Sequence, residues 1–600
     1  MATSKPQHDD GDSNPWNEDN DTRVPHEATT HGPADNGDGN DNGEASPLLA
    51  ATADDGLIRD GVHVSQAFDE QETKSVGFLI LLTLGIGGLQ LAWSAELSNG
   101  SPYLLSLGLS KSLMALVWIA GPLTGTLVQP YIGILSDNCR LPMGKRKPFM
   151  IGGSVATVAG LFFLSWTKEI VETVLGIFGA DAASPGVKTT VIVVAVIGIY
   201  VLDVAINTVQ AAVRAFIVDC GPAHQQEAAN AMASRLTGVG NIIGFIAGYV
   251  RLTGPLWFFG RTQFQILCAI ASIALSASIF LSCWFIQERD PRNSPITGTN
   301  PSLVAFFLSI FKSIKRLPPQ VMRVCQVQFF GWVGFFPLLF YTSSYIGEIY
   351  VQPFLRENPH MSPKEIDELY EQATRIGSFA LLVNAIVSLL TNVLLPFFIA
   401  PTYDKAPVGG RPGQRMEVKS PVDHLRIPGF TLKRAWFFSL ILFSFTMLCT
   451  LVVTSVQGAT VLIGIAGITW AMTLWAPYAI ISAEISRRDA LERANKLRRV
   501  HAADGMDLDP LDPDEEQDAA GVIMGIHNMS IAAPQIIANV GSSIIFKIWQ
   551  KPRGTPGDKS LGIVLAMGGL FVLVAASFVT RIRDDTSAPP ATNTTRDEEH

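Results

Sequence analysis

Asp203, Asn207, Gln210 and Arg214 recur at i, i+4, i+7 and i+11 within GIYVLDVAINTVQAAVRAFIVD. On a helix of 3.6 residues per turn these positions share one face. The residues between them are mostly Ala, Val and Ile, so one polar stripe runs along an apolar helix. Asp203 and Arg214 lie about 16 Å apart by helical rise, too far for an ion pair on a straight helix. Each needs water, another helix or a ligand. A charge at mid-membrane costs at least about 2.5 kcal/mol. A carboxyl escapes that cost by taking a proton, so Asp203 can alternate between charged and neutral and carry protons. An arginine cannot neutralise, and its donors suit vicinal hydroxyls or a carboxylate. The competing reading pairs both residues with neighbouring helices. Asn207 and Gln210 on the same stripe favour function.

A second group lies in GGLQLAWSAELSNGSPY, where Gln90, Trp93 and Glu96 recur every three residues on one flank. An apolar ring face beside an amide and a carboxylate suits a sugar. An interfacial Trp with Glu96 at the outer surface fits the same pattern. Asn241 lies in a Gly-rich segment where helices can approach closely, and Arg235 in the same segment has the charge to pair with a carboxylate. Glu348 and Glu484 sit near the ends of apolar runs, where glutamates are interfacial; Glu348 also joins the substrate-binding candidates. His527 beside Asn528 reads as a relay or a helix–helix hydrogen bond, with the bond favoured.

A third group is GILSDNCRLPMGKRK, from Gly133 to Lys147. It fits the loop pattern G-x-L-[SA]-D, a gap, then G-[KR]-[KR]. Gly133 is expected to permit close helix packing. Asp137 can face a helix N-terminus or a base from this loop. Gly144, Lys145, Arg146 and Lys147 complete a candidate cytoplasmic gate that latches one conformation and releases another. An ordinary positively charged loop is the alternative.

Twelve apolar runs can position these residues, each on the scale of the ~20 residues that cross a bilayer. They lie near 76–97, 109–135, 148–167, 188–213, 231–250, 263–286, 323–349, 373–399, 434–455, 458–482, 519–546 and 560–581. The fold class is all-α integral membrane, with twelve transmembrane helices in two six-helix halves, the major facilitator layout. The domains follow: a disordered acidic tail over 1–75, a bundle over 76–286, a linker over 287–322, a second bundle over 323–582 and a tail over 583–600. Lys and Arg cluster after the second, sixth, eighth and tenth runs, which places those loops and both termini in the cytoplasm. The run RRDALERANKLRRV opens a charged helical segment in the loop 485–518.

The 600 residues carry only 16% charged side chains against 48% hydrophobic ones. Residues 1–75 hold four Lys/Arg and seventeen Asp/Glu, a net of −13, which leaves +4 on the rest of a chain totalling −9. Such an acidic tail cannot bury enough apolar surface to fold, and it argues against nucleic acid. The N-terminus lacks the basic-then-apolar pattern of a signal peptide. The six cysteines form no C-x-x-C pair or Cys/His cluster, so no metal, disulfide framework or cofactor is expected. No nucleophile–base constellation points to an enzyme. Glu44, Leu48 and Leu49 form the acidic dileucine pattern that sorting adaptors read. Asn99-Gly100-Ser101 is a glycosylation sequon close to the first span.

The chain resembles the plant sucrose/proton symporters and their fungal and animal relatives. SPYLLSLGLSKSLMALVWIAGPLTGTLVQPYIGILSDNC is similar to that family's first hairpin, and LDVAINTVQAAVRAFIVD to its fourth helix. ANAMASRLTGVGNIIGFIAG resembles the fifth helix and FYTSSYIGEIY the seventh. The resemblance implies uptake of a disaccharide or related glucoside with a proton as coupling ion. It gives Asp203 the proton-carrying role and Arg214 a role in coupling or sugar binding. The chain reads Tyr341-Thr342-Ser343-Ser344 where plant members have aspartates, and Glu96 as in fungal and animal relatives. The expectation is a monomeric proton/α-glucoside symporter in the plasma or vacuolar membrane. An uncoupled facilitator and a sugar sensor without flux are the alternatives.

Overall fold

The computed structural model describes residues 73–222, 225–288, 308, 314, 316–358, 361–399, 425–502 and 514–583. The acidic tail with Glu44, Leu48 and Leu49, most of the 287–322 linker and the C-terminal tail lie outside them.

Helices begin where the sequence supplies caps. α1 (Val76–Ser106) starts after Ser75, whose hydroxyl accepts from Phe78 N. The second span is broken: α2 (Lys111–Val117) and α3 (Ala120–Asp137) meet at Trp118 and Ile119. α4 (Lys147–Ser165) is followed directly by α5 (Thr167–Ile177), in the stretch between the third and fourth apolar runs. α5 is amphipathic; Val171 is buried, while Glu169 accepts from Gln265 Nε2 at 2.9 Å. α6 (Pro185–Cys220) carries the polar stripe and starts with Ser184 as cap and proline in its first turn. α7 (Gln226–Tyr249) and α8 (Gln263–Phe285) follow, the latter entered through a Thr262/Gln265 capping box.

The second set comprises α9 (Pro319–Glu357), α10 (Pro363–Leu394), α11 (Leu432–Cys449), α12 (Val456–Ala502), α13 (Asp514–Trp549) and α14 (Ser560–Val579). α10 starts with a Ser362/Glu365 capping box. α12 runs on from the tenth span through the charged run RRDALERANKLRRV as one helix.

Among the described residues eleven helical segments are long and apolar enough to cross a membrane. α7, with 24 residues, has the length but carries Asn230, Arg235 and Asn241. It is sheltered by α1 and α10, and with it the expected twelve-helix membrane architecture is complete. α1 packs on α7 and α8, and α6 on α3 and α4; α9 packs on α10, α13 and α14, and α11 on α12 and α14. The two sets meet where α1 faces α9, α7 faces α10, and α2 and α3 face α13. Small residues bring helices together: a Cβ at Gly334 of α9 would sit 2.4 Å from the carbonyl oxygen of Gly568 on α14.

Candidate functional site

α1 and α6 bring the two sequence groups together. Trp93 Nε1 donates to Gln210 Oε1 at 3.0 Å. One turn away along α1, Gln90 Nε2 donates to Asn241 Oδ1 at 2.9 Å, and Ser94 Oγ donates to the same oxygen at 3.0 Å. On the other side of Trp93, Glu96 is buried on α1, as Asp203 is on α6. Two of these α1 positions, Gln90 and Trp93, therefore bond polar residues on α7 and α6, and Glu96 continues the same flank. That register explains the three-residue spacing of Gln90 and Trp93.

Asp203 is fully buried, 0% exposed, and neither carboxylate oxygen has a hydrogen-bond partner among the described residues. Glu96 is 5% exposed and its Oε2 is likewise unpartnered. Glu96 therefore lies inside the helix packing rather than at the outer surface. Asn207 is held from three sides. It accepts from Gln129 Nε2 at 2.7 Å, and its Nδ2 lies 3.0 Å from Thr124 Oγ1 and 2.9 Å from the Asp203 carbonyl. Thr124 and Gln129 were not singled out in the sequence; their only signal is polarity inside the second span.

Arg214 is exposed at the basic-loop end of the stripe, and no carboxylate pairs with it among the described residues. Arg235 is exposed too. Asp203 and Arg214 thus stand apart, as helical rise requires.

Glu348 has a different setting from the other substrate-binding candidates. It does not join the α1–α6 group. Its Oε1 accepts from Lys111 Nζ at 2.6 Å, because a buried carboxylate needs a cation. Asn99, the sequon residue, is 4% exposed and donates to Ser98 Oγ. His527 is 1% exposed; its Nε2 lies 3.4 Å from Gln328 Nε2 across α9 and α13, and its ring meets Tyr478 edge-on. Tyr341, Thr342 and Ser343 are fully buried, and Tyr341 Oη donates to Asn539 Oδ1 at 3.3 Å. On the second set, Trp332 and Trp470 form an edge-on pair, and Trp332 Nε1 has no hydrogen-bond partner among the described residues.

The GILSD…GKRK loop forms a brace. Arg146 bonds Asp137 and Ser136, and its Nε donates to Asp219 Oδ2 at 2.7 Å. Asp137 therefore faces a base from its own loop. Glu288, beyond α8, accepts from the backbone N–H groups of Arg146 at 3.0 Å and Lys147 at 3.0 Å. A carboxylate from the segment after α8 thereby caps α4, because the side chain of its Ncap residue, Arg146, makes no capping bond and is committed to Asp137, Ser136 and Asp219. Gly144 has φ +121°, and a Cβ there would lie 2.1 Å from Glu288 Oε2. The expectation for Gly133 fails: among the described residues a Cβ there would meet no neighbouring helix within 4 Å. Its contribution is a carbonyl that accepts from Arg146 Nη1 at 3.4 Å. Lys145 makes no ion pair among the described residues; the cluster centres on Arg146.

The family described as MFS/sugar transport protein matches residues 101–351. The general alpha-glucoside permease of Schizosaccharomyces pombe is 33% identical over 572 residues, covering 87% of this chain and 96% of that protein. The sucrose transport protein SUT3 of Oryza sativa subsp. japonica is 28% identical over 332 residues, covering 54% of this chain and 64% of its own length. The solved D-xylose-proton symporter shares the fold at a TM-score of 0.50 and 15% identity, covering 85% of this chain and 98% of that one. The nucleoside transporter NupG also does so at a TM-score of 0.50 and 11% identity, over 84% and 98%. A multi-pass membrane protein that matches the S. pombe permease over nearly its full length is a transporter, and the chain belongs to the sucrose/α-glucoside transporter family of the major facilitator superfamily.

Proposed function

We propose that the chain is a proton-coupled symporter of sucrose- and maltose-type α-glucosides that works by alternating access, as a monomer in the plasma membrane. The observation that carries this reading is the pair of buried carboxyls, Asp203 and Glu96, with unpartnered oxygens and no cation beside them among the described residues. An isolated carboxylate inside a protein costs several kcal/mol, and a proton removes that cost. Asp203 takes a proton when its pocket opens to the outside. The neutral acid then permits closure over bound sugar. Inner water draws the proton off, and the charged carboxylate disfavours reclosure until the sugar has left. The names of the S. pombe permease and the rice protein support the substrate class.

Trp93 supplies a ring face, held in orientation by Gln210. Gln90 and Asn241 fix each other and present their remaining donors and acceptors. Arg214 stands at the inner end of the stripe, placed to interact with sugar hydroxyls or with Asp203's charge as the helices move. Arg146 and its carboxylates brace the inner ends of α3, α4 and α6.

Radiolabelled sucrose and maltose uptake into proteoliposomes, with and without an imposed pH gradient, tests the proposal. Accumulation is expected only with the gradient, and Asp203→Asn is expected to abolish accumulation while retaining exchange. Native uptake indifferent to the gradient, or an Asp203→Asn protein that still concentrates sugar, refutes coupling.

A further inference from the structure

Lys111 opens α2, yet it is only 7% exposed. Its Nζ donates to Glu348 Oε1 at 2.6 Å and to Asp558 Oδ2 at 2.8 Å. Glu348 lies in α9 and Asp558 just before α14. One ammonium therefore joins the first set of helices to two segments of the second. The three side chains are 8%, 11% and 3% exposed. Asp558 is fixed further by the backbone N–H groups of Lys551 at 3.0 Å and Ser560 at 2.8 Å. Nearby, Ser112 Oγ donates to the Ser543 carbonyl at 2.9 Å, and Ser101 Oγ to the Phe340 carbonyl at 2.8 Å. The bonds of Lys111, Ser112 and Ser101 all cross between the two sets. They lie towards the membrane side opposite the basic loops, the outer side by the positive-inside rule. The Lys111–Glu348 pair also lines a cavity of about 650 Å³ on that side, along with Ser344, Glu169 and Arg553.

We propose that Lys111 is the outer latch of the transport cycle: it holds the two helix sets closed on the outside by bridging Glu348 and Asp558, and outward opening requires it to leave both. A buried ion pair adds little net stability, but removing one partner strands the other charge. Lys111 serves two acids. Without it, two like charges face each other in the closed state, whereas in the open state water hydrates both. Neutralising Lys111 therefore shifts the population outward. The Arg146 brace differs, because its partners Asp137 and Asp219 belong to the first set of helices and Glu288 directly follows it, so it reaches nothing in the second set.

The proposal rests on the alternating-access reading but not on proton coupling, and its test uses no sugar. Ser101 is 1% exposed in the closed contact. A Ser101→Cys reporter in the full chain is labelled from outside with an impermeant maleimide, with the native chain as background. Adding Lys111→Gln is expected to raise the labelling rate at least about tenfold, a fraction of the cost of stranding buried charges. Lys111→Arg should stay near the reporter alone. Lys111→Gln combined with Glu348→Gln and Asp558→Asn should fall back to within about threefold of it, since no charge is left stranded. The latch is overturned if Lys111→Gln labels no faster than the reporter. It is equally overturned if the fully neutral variant labels as fast as Lys111→Gln, which would make Lys111 a packing residue. A transporter without proton coupling would give the same labelling pattern, so the two readings fail separately.

Discussion

Asn207 Nδ2 donates to the backbone carbonyl of Asp203 at 2.9 Å, one turn away on α6, and leaves the Asp203 carboxylate untouched. The amide that could have satisfied the acid is committed elsewhere, to that carbonyl, to Thr124 and to Gln129. Asp203 is thus a buried acid with its neighbours already engaged, a poor arrangement for stability and a suitable one for exchanging a proton.

Asp203→Asn should therefore leave the protein about as stable as before, within about 1 kcal/mol, because no hydrogen bond to the carboxylate is lost. Asn207→Ala should cost more, about 1–3 kcal/mol, because it removes the bonds to Thr124 and Gln129 that tie α6 to α3. Thermal unfolding of the two purified variants at pH 7 compares them. A large loss in Asp203→Asn, equal to that of Asn207→Ala, would mean that the carboxylate is a structural anchor.

Trp93→Ala removes both the ring face and the bond to Gln210, while Trp93→Phe keeps the face and loses the bond. With Trp93 as the sugar platform, alanine should raise KM about tenfold, and phenylalanine only about threefold, with kcat less affected than KM. Initial uptake rates over a range of sucrose concentrations give the split. An unchanged KM in Trp93→Ala would remove this residue from the sugar site.

The stripe on α6 was legible because its period is a property of the chain: i, i+4, i+7 and i+11 point one way on any α-helix. The pairing of Gln90 with Asn241, 151 positions away, was not, because it depends on how α1 and α7 pack. Lys111 escaped notice for a related reason. A lysine at a span end reads as an interfacial cation, and only the approach of Glu348 and Asp558 gives it a buried role. The short helix α5 was missed because its apolar positions are too few to span a bilayer. Gly133 shows the reverse error, since a motif glycine suggested close packing where the backbone meets no neighbouring helix among the described residues.

Gly144→Ala should destabilise the inner brace. The position has φ +121°, and the added methyl would drive into the Glu288 carboxylate that caps α4. Backbone strain alone costs about 1–3 kcal/mol, and displacing Glu288 also frees two backbone donors. Gly133→Ala, with no neighbouring helix within 4 Å of its Cβ among the described residues, should be close to neutral by comparison. Thermal unfolding and uptake of the two variants side by side provide the measurement. Equal losses at both positions would argue that the motif glycines act through some other conformation than this one.

The outer charge cluster also sets a pH window, through Asp558, which lies in the loop before α14. Burial pushes its carboxyl up, but the Lys111 ammonium and the bonds from Lys111 and Ser560 outweigh burial and hold it below the ordinary aspartate value. A group whose pKa is lower in the folded state stabilises that state above its unfolded value, about 3.9. The contribution is lost as pH falls through the lower, folded value. Asp558→Asn should therefore melt below the native chain by a margin that is constant from about pH 7 to 5 and shrinks only as pH falls below about 4. Melting both proteins across that range gives the curve. A margin that already closes between pH 7 and 5 would mean that Asp558 is not held ionised by Lys111.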